Sequence, residues 1–373
     1  MKKSLVALAA SLAVGGAFAQ STVTMGGILK AGVASTKYSN GASNNGSGLS
    51  VGDGSSRLLI SFNEDLGGGL RATGQYDIRM RVDDNGGAGA APTSAVASQL
   101  ATGNTWLGLT GGFGSFRLGK FDTHYCYGAD THGTRATALT HSSCGILGYV
   151  GGVGLSVANA SRSTNIIRYD LPGGLGGFAG SVSYSTAWQA TEGLFGADKG
   201  NAISATFQYT GGPIFAGVSY WNAKSENKIS AIQKGGTAAV RGTFGVFSIG
   251  LTYDKSHAGA AGAEAVRDAF SVPVTVRLGA GTLLATYTKA SDRKQLNKIA
   301  DSGASLISVG YDYSLSKRTS IGISFARLSN DRNASYQLYT QAALVGHAAG
   351  TNSGATVSNQ DQQQLYFGIR NAF

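Results

Sequence analysis

Leu70-Arg71-Ala72-Thr73-Gly74-Gln75-Tyr76-Asp77-Ile78-Arg79-Met80-Arg81 changes polarity at almost every step. Successive side chains of an extended chain point to opposite faces. Leu70, Ala72, Tyr76, Ile78 and Met80 therefore share one face, and Arg71, Thr73, Gln75, Asp77, Arg79 and Arg81 share the other. A strand of this kind separates an apolar medium from water, as the wall of a membrane barrel does. Val246–Lys255 repeats the pattern, with Phe247, Ile249, Leu251 and Tyr253 against Ser248, Gly250, Thr252 and Asp254. Asp268–Leu278 does so again, with Phe270, Val272, Val274 and Val276 against Ser271, Pro273, Thr275 and Arg277. Pro273 has no amide to donate, which implies either a local bulge or a missing ladder bond.

Working outward, the same test gives sixteen segments, at about 22–37, 55–63, 70–81, 104–110, 115–122, 162–170, 178–187, 200–210, 213–222, 237–243, 246–255, 268–278, 282–291, 303–314, 318–329 and 362–373. Short Gly-rich turns such as Gly111–Gly114 and Gly279–Gly281 alternate with long polar stretches such as Thr123–Ser161 and Asn330–Asp361. An even strand count with that asymmetry predicts an all-β fold, a 16-stranded antiparallel transmembrane β-barrel. A soluble sandwich is the competing all-β fold, but it needs neither so many long strands nor the aromatic-ended segment Gln364–Phe373. Aromatic residues near segment ends, among them Tyr184 with Trp188, Tyr220 with Trp221 and Tyr311 with Tyr313, suit rings at headgroup depth.

Composition agrees with a spanning sheet. Of 373 residues, 42% are hydrophobic, yet no stretch after Val14 approaches the roughly 20 apolar residues of a membrane helix. Fifty-seven glycines and only 4 prolines fit many tight turns and few broken ladders. Lys2 and Lys3, the apolar run Ser4–Val14 and the small-residue site Ala17-Phe18-Ala19 read as an export signal. The expected organisation is thus a signal peptide at 1–19 and one barrel domain at 20–373. The net charge of +10 is spread along the chain, without the compact basic face of a nucleic-acid binder.

Several stretches resemble the general porins of beta-proteobacteria, the trimeric Gram-negative porins of the Neisseria, Bordetella, Burkholderia and Comamonas type. They are Ser21–Gly27, Ser56-Arg57 with Glu64–Leu70, Leu107–Gly114 with Leu118-Gly119-Lys120, Arg168-Tyr169-Asp170, Tyr313–Thr319 and Gly368–Phe373. In this order they run along the whole chain beyond the signal. The resemblance implies a homotrimer in the outer membrane of a Gram-negative bacterium, in contact with the bilayer and lipopolysaccharide, with the third external loop folded into the pore.

A barrel of this size leaves a water-filled channel, whose narrowest zone sets what passes. Parity places Lys30, Arg57, Arg71, Arg79, Arg81, Arg162 and Arg168 inward, against fewer carboxylates, Asp77 and Asp170. Thr123–Ser161 is the natural constriction loop, and its Asp130 would set a transverse field against the arginines. Such rings of cations favour anions. The expectation is passive diffusion of small hydrophilic solutes with anion preference. The alternatives are a channel specific for an anion such as phosphate or an organic acid, and arginines that only hold the loop in place. An adhesive surface anchor is a further class.

No enzyme is expected: none of the 5 histidines belongs to a nucleophile motif. The glycine clusters open no helix, so neither a nucleotide nor any other cofactor is expected. Cys126 and Cys144 favour a disulfide in an exported chain. Free thiols, or zinc shared with His124, His132 and His141, are the other possibilities, although the spacing fits no zinc motif.

Overall fold

The computed structural model describes residues 21–41, 45–80, 82, 103–123, 128, 134–147, 149–151, 162–188, 200–224, 232–259, 263–295, 297–339 and 358–373. The export signal lies outside them.

The described strands are β1 (Thr22–Ser39), β2 (Gly46–Asp53), β3 (Arg57–Gly67), β4 (Leu70–Arg79), β5 (Thr105–Gly111), β6 (Gly114–Asp122), β7 (Arg162–Asp170), β8 (Phe178–Ser185), β9 (Asn201–Gly211) and β10 (Ile214–Lys224). They continue with β11 (Ile232–Phe244), β12 (Phe247–Gly259), β13 (Ala265–Leu278), β14 (Gly281–Ala290), β15 (Lys294–Gln295), β16 (Asn297–Lys298), β17 (Ala304–Ser314), β18 (Thr319–Asn330) and β19 (Asp361–Ala372). All pair antiparallel in one sheet, and β19 returns to β1 with Val33 opposite Phe367. The sheet therefore has no free edge, which is what a bilayer demands of backbone amides.

Three of these strands do not add staves to the wall. β15 and β16 form a small rim hairpin. β2 pairs with the second half of β1, at Ala31–Tyr38, while β3 pairs with its first half, at Thr22–Ile28. The two are one neighbour of β1, broken at Gly54–Ser56, where Ser55 has φ 82°. The break is stitched: Gly54 N–H donates to the Lys30 carbonyl at 2.7 Å, and Lys30 N–H donates to Ser56 Oγ at 2.9 Å. The result is a closed 16-strand barrel. Its staves match the sixteen segments expected from alternation. The Gly- and Ser-rich β2 falls outside those segments.

Alternation is visible in exposure. On β12, Ile249, Leu251 and Tyr253 are 42%, 48% and 46% exposed, whereas Thr252 and Asp254 are 1% and 0%. The apolar row faces outward, where a cation at mid-bilayer depth would cost about 2–4 kcal/mol. Pro273 resolves as a missing bond rather than a bulge. Register is unchanged from Ile249–Val274 to Thr252–Ser271, and only the pairs between them are absent. Gly250 accommodates the ring, since a Cβ there would meet Pro273 Cγ at 3.1 Å. One girdle assignment is corrected. Tyr184, Tyr220 and Tyr313 do face outward, but Trp221 is fully buried against Ala202, Ala223 and Trp188. It follows Tyr220 on the strand, and alternation sends it to the opposite face.

Polar rows of β12–β19 contact two segments outside the strands. Residues 134–151 hold a 3-10 turn, Leu139–His141, and one helical turn, Cys144–Leu147. Residues 331–339 lie over the helical turn, where a Cβ at Gly145 would strike the Gln337 carbonyl at 2.5 Å. Ile146, Leu147 and Tyr149 join Leu306, Leu328, Ala334, Tyr336 and Leu338 in one apolar cluster. Burial there pushes the Tyr336 phenol up to about 12.

Candidate pore lining

The inner wall carries pairs of cations that face each other across the ladder. Arg57 on β3 is opposite Arg79 on β4, Arg117 on β6 is opposite Arg168 on β7, and Lys30 on β1 is opposite Arg370 on β19. Like charges directly opposite destabilise a sheet. Two of the pairs are relieved by one carboxylate each. Asp77 grips Arg79, with Nε to Oδ1 and Nη2 to Oδ2 both at 3.0 Å, and Ser55 Oγ accepts from Nη1 at 2.7 Å. Asp170 grips Arg168, whose Nη2 and Nε lie 2.7 and 2.9 Å from Oδ1.

The second arginine of each pair is left over. Arg117 Nε reaches Asp170 Oδ2 only at 3.6 Å. Among the described residues, the buried Arg57 Nε has no hydrogen-bond partner. Each carboxylate is two residues from the arginine it holds, on the same strand and hence the same face. Among the described residues the local balance is positive, four arginines against Asp77, Asp170 and Asp122, whose Oδ2 accepts from Asn104 Nδ2 at 3.0 Å. Gly103 belongs to this arrangement, because a Cβ there would overlap the Asp77 carboxyl group at 1.9 Å.

Lys30 is inward and buried, its stem running over Gly54. Arg71 is exposed, opposite Asp65 near the turn. Arg81, Asp130 and Cys126 lie outside the described residues, as does the side chain of Arg162. Along β7 the register slips by one residue, since Gly119 pairs with Ile166 while Phe121 pairs with Ser163. Asn165, at φ 54°, marks that bulge. Parity counted from Arg168 does not carry across it to Arg162. Cys144 is disulfide-bonded.

One arginine of the β12–β13 wall does structural work. Arg267 is fully buried, with Nη1 at 2.8 Å from Asp254 Oδ1. It also donates to carbonyls closing the helical turn, to Tyr149 O from Nε at 2.8 Å and to Leu147 O from Nη2 at 3.0 Å. Asp254 is completed by Thr237 and Ser256. Further along, Ala136 N–H donates to Asp312 Oδ1 at 2.7 Å and Ala138 N–H to Ser324 Oγ at 3.1 Å. Gly322 and Gly310 leave the wall bare beneath them, because a Cβ on Gly322 would sit 2.7 Å from the Ala136 backbone. The described part of this segment contains Arg135 and His141 but no carboxylate.

Sequence reasoning missed Arg117 and Arg267. The signal was present: Phe116 and Leu118 are outward, and so is Phe270, which sends both arginines inward by the parity that placed Arg168.

The comparisons agree with this geometry. A family model described as Gram-negative porin matches residues 4–333. Outer membrane porin protein 32 of Delftia acidovorans is 29% identical over 378 residues, covering 100% of both chains. The major outer membrane protein P.IB of Neisseria gonorrhoeae is 31% identical over 192 residues, 50% of this chain and 48% of its own. Among solved structures, an anion-selective porin from Comamonas acidovorans superposes with a TM-score of 0.75 at 24% identity, covering 95% of this chain and 100% of its own. With a closed sixteen-stave barrel, an apolar exterior and a family match over most of its length, the chain belongs to the Gram-negative porins, channel-forming barrels of the outer membrane.

Proposed function

We propose that this protein is a general porin, probing no single solute by chemistry but passing small hydrophilic molecules by passive diffusion with a preference for anions. The observation that carries the preference is the pairing of arginines with too few carboxylates, Asp77 for Arg57 and Arg79, Asp170 for Arg117 and Arg168. Guanidinium stays charged at any physiological pH and offers several donors to an anion. The narrow mouth between low-dielectric walls amplifies the bias.

Residues 134–151 are the constriction in this proposal. Their hydrogen bonds to the inward rows of β17–β19 support it, and Arg267 acts as the anchor. Arg81, Arg162 and Asp130 remain proposed lining residues. Cys126 and Cys144 are proposed to form the bridge. The unit is proposed to be a homotrimer without enzymatic activity, with lipid and lipopolysaccharide at its outer face.

The reversal potential of the purified channel in a salt gradient tests the proposal. An anion-sided potential supports it, and a cation-sided one rejects it. Saturable block by one anion would move the assignment to a substrate-specific channel.

A further inference from the structure

The inner wall of β5–β7 holds large aromatic rings beside its arginines. Trp106 lies opposite Gly119, and Arg117 lies opposite Gly108. A Cβ at Gly119 would come within 2.8 Å of the Trp106 Cα, and one at Gly108 within 2.9 Å of Arg117 Cγ. Each glycine thus makes room for the large side chain across the ladder. The Arg117 guanidinium carbon then lies 4.4 Å from the centroid of the Trp106 ring. Trp106 stacks on Phe121 at 6.2 Å and 20°, and Arg168 lies 5.4 Å over Phe121. Four side chains form one lamina, with the two rings stacked between the two cations.

Stacking on the indole covers a face of the guanidinium and leaves its N–H edge for ligands. Arg168 spends its edge on Asp170. Arg117 makes no hydrogen bond through its terminal nitrogens among the described residues, and its side chain keeps 28% of its exposure. Trp106 is half-exposed beside it.

From this juxtaposition we infer that the lamina is a binding subsite for planar aromatic carboxylates. The carboxylate accepts two N–H bonds from the Arg117 edge, and the ring meets the uncovered rim of the indole edge to face. Chloride and acetate find only the charge. The inference rests on the anion-preferring channel proposed above and names the solute class that channel retains longest.

The test is block of single-channel conductance by benzoate and by acetate, using the purified full-length channel in a planar bilayer. Benzoate half-blocks at about a tenfold lower concentration than acetate, the gain of roughly one aromatic stack. Trp106→Leu brings the benzoate value up to the acetate value and leaves the reversal potential in KCl where it was. Equal block by the two anions in the unmodified channel overturns the inference, as does benzoate block that survives Trp106→Leu. Should that variant fail to assemble, cyclohexanecarboxylate on the unmodified channel decides, since equal block by this non-planar anion overturns the subsite. A cation-sided reversal potential rejects the parent proposal, whereas an anion-sided one with equal block rejects the subsite alone.

Discussion

Arg117 and Arg168 stand directly opposite one another across the β6–β7 ladder, and the carboxylate beside them belongs to Arg168. Asp170 approaches Arg168 at 2.7 Å and Arg117 at 3.6 Å. A wall selected only for stability would not place two guanidinium groups there. In the proposed function the leftover charge is the functional element.

Arg117→Gln removes a cation that no carboxylate fully claims. The anion-to-cation permeability ratio should fall about threefold, the effect of roughly half an RT of local potential acting with opposite sign on the two ions. Barrel stability should be unchanged or slightly improved, because a like-charge contact disappears. Bi-ionic potentials and thermal unfolding in detergent check the two halves separately.

Arg267→Met leaves Asp254 buried without its cation and frees the carbonyls closing the helical turn. The expected cost is about 3–5 kcal/mol. The unfolding temperature drops, and open-channel current becomes noisier as residues 134–151 loosen. Adding Asp254→Leu to the same chain should restore most of the stability but not the quiet current.

Gly322→Val pushes a side chain into the space of the Ala136–Thr137 backbone. The wall itself is intact, so the barrel assembles. Residues 134–151 are displaced, and single-channel conductance changes measurably. An unchanged conductance would separate this segment from the constriction.

The proposed bridge between Cys126 and Cys144 makes the intact mass without reductant about two daltons lower than after reduction. It should contribute on the order of 3 kcal/mol by closing its loop. Two alkylatable thiols in the unreduced protein would contradict it.

What the sequence made legible follows from where period-two alternation survives. β12 and β13 show it over nearly their whole length, and even Pro273 keeps register, so their inward and outward faces are plain in the letters. β2 was hidden because Gly46, Ser47, Gly48, Ser50 and Gly52 give no apolar contrast, although Leu49 and Val51 do face outward. The bulge at Asn165 shows the limit of counting, since parity read on one side of it does not carry to the other. Residues 331–339 were equally opaque. Tyr336 and Leu338 are separated by Gln337, and nothing in such a short run distinguishes an inner segment from an exposed loop. Their burial depends on Leu306 and Leu328 projecting inward from β17 and β18, a long-range fact that no local pattern carries. Arg117 was available by parity all along, but its partner in charge, Arg168, gave no hint that the two would meet.

The most direct measurement is the zero-current potential of the purified channel across a planar bilayer with a tenfold KCl gradient. The side-chain arrangement predicts a potential of the sign set by chloride, and one that shrinks as salt rises and screens the arginines. A potential of the sign set by potassium, at low salt and neutral pH, would contradict a pore wall governed by Arg57 and Arg117.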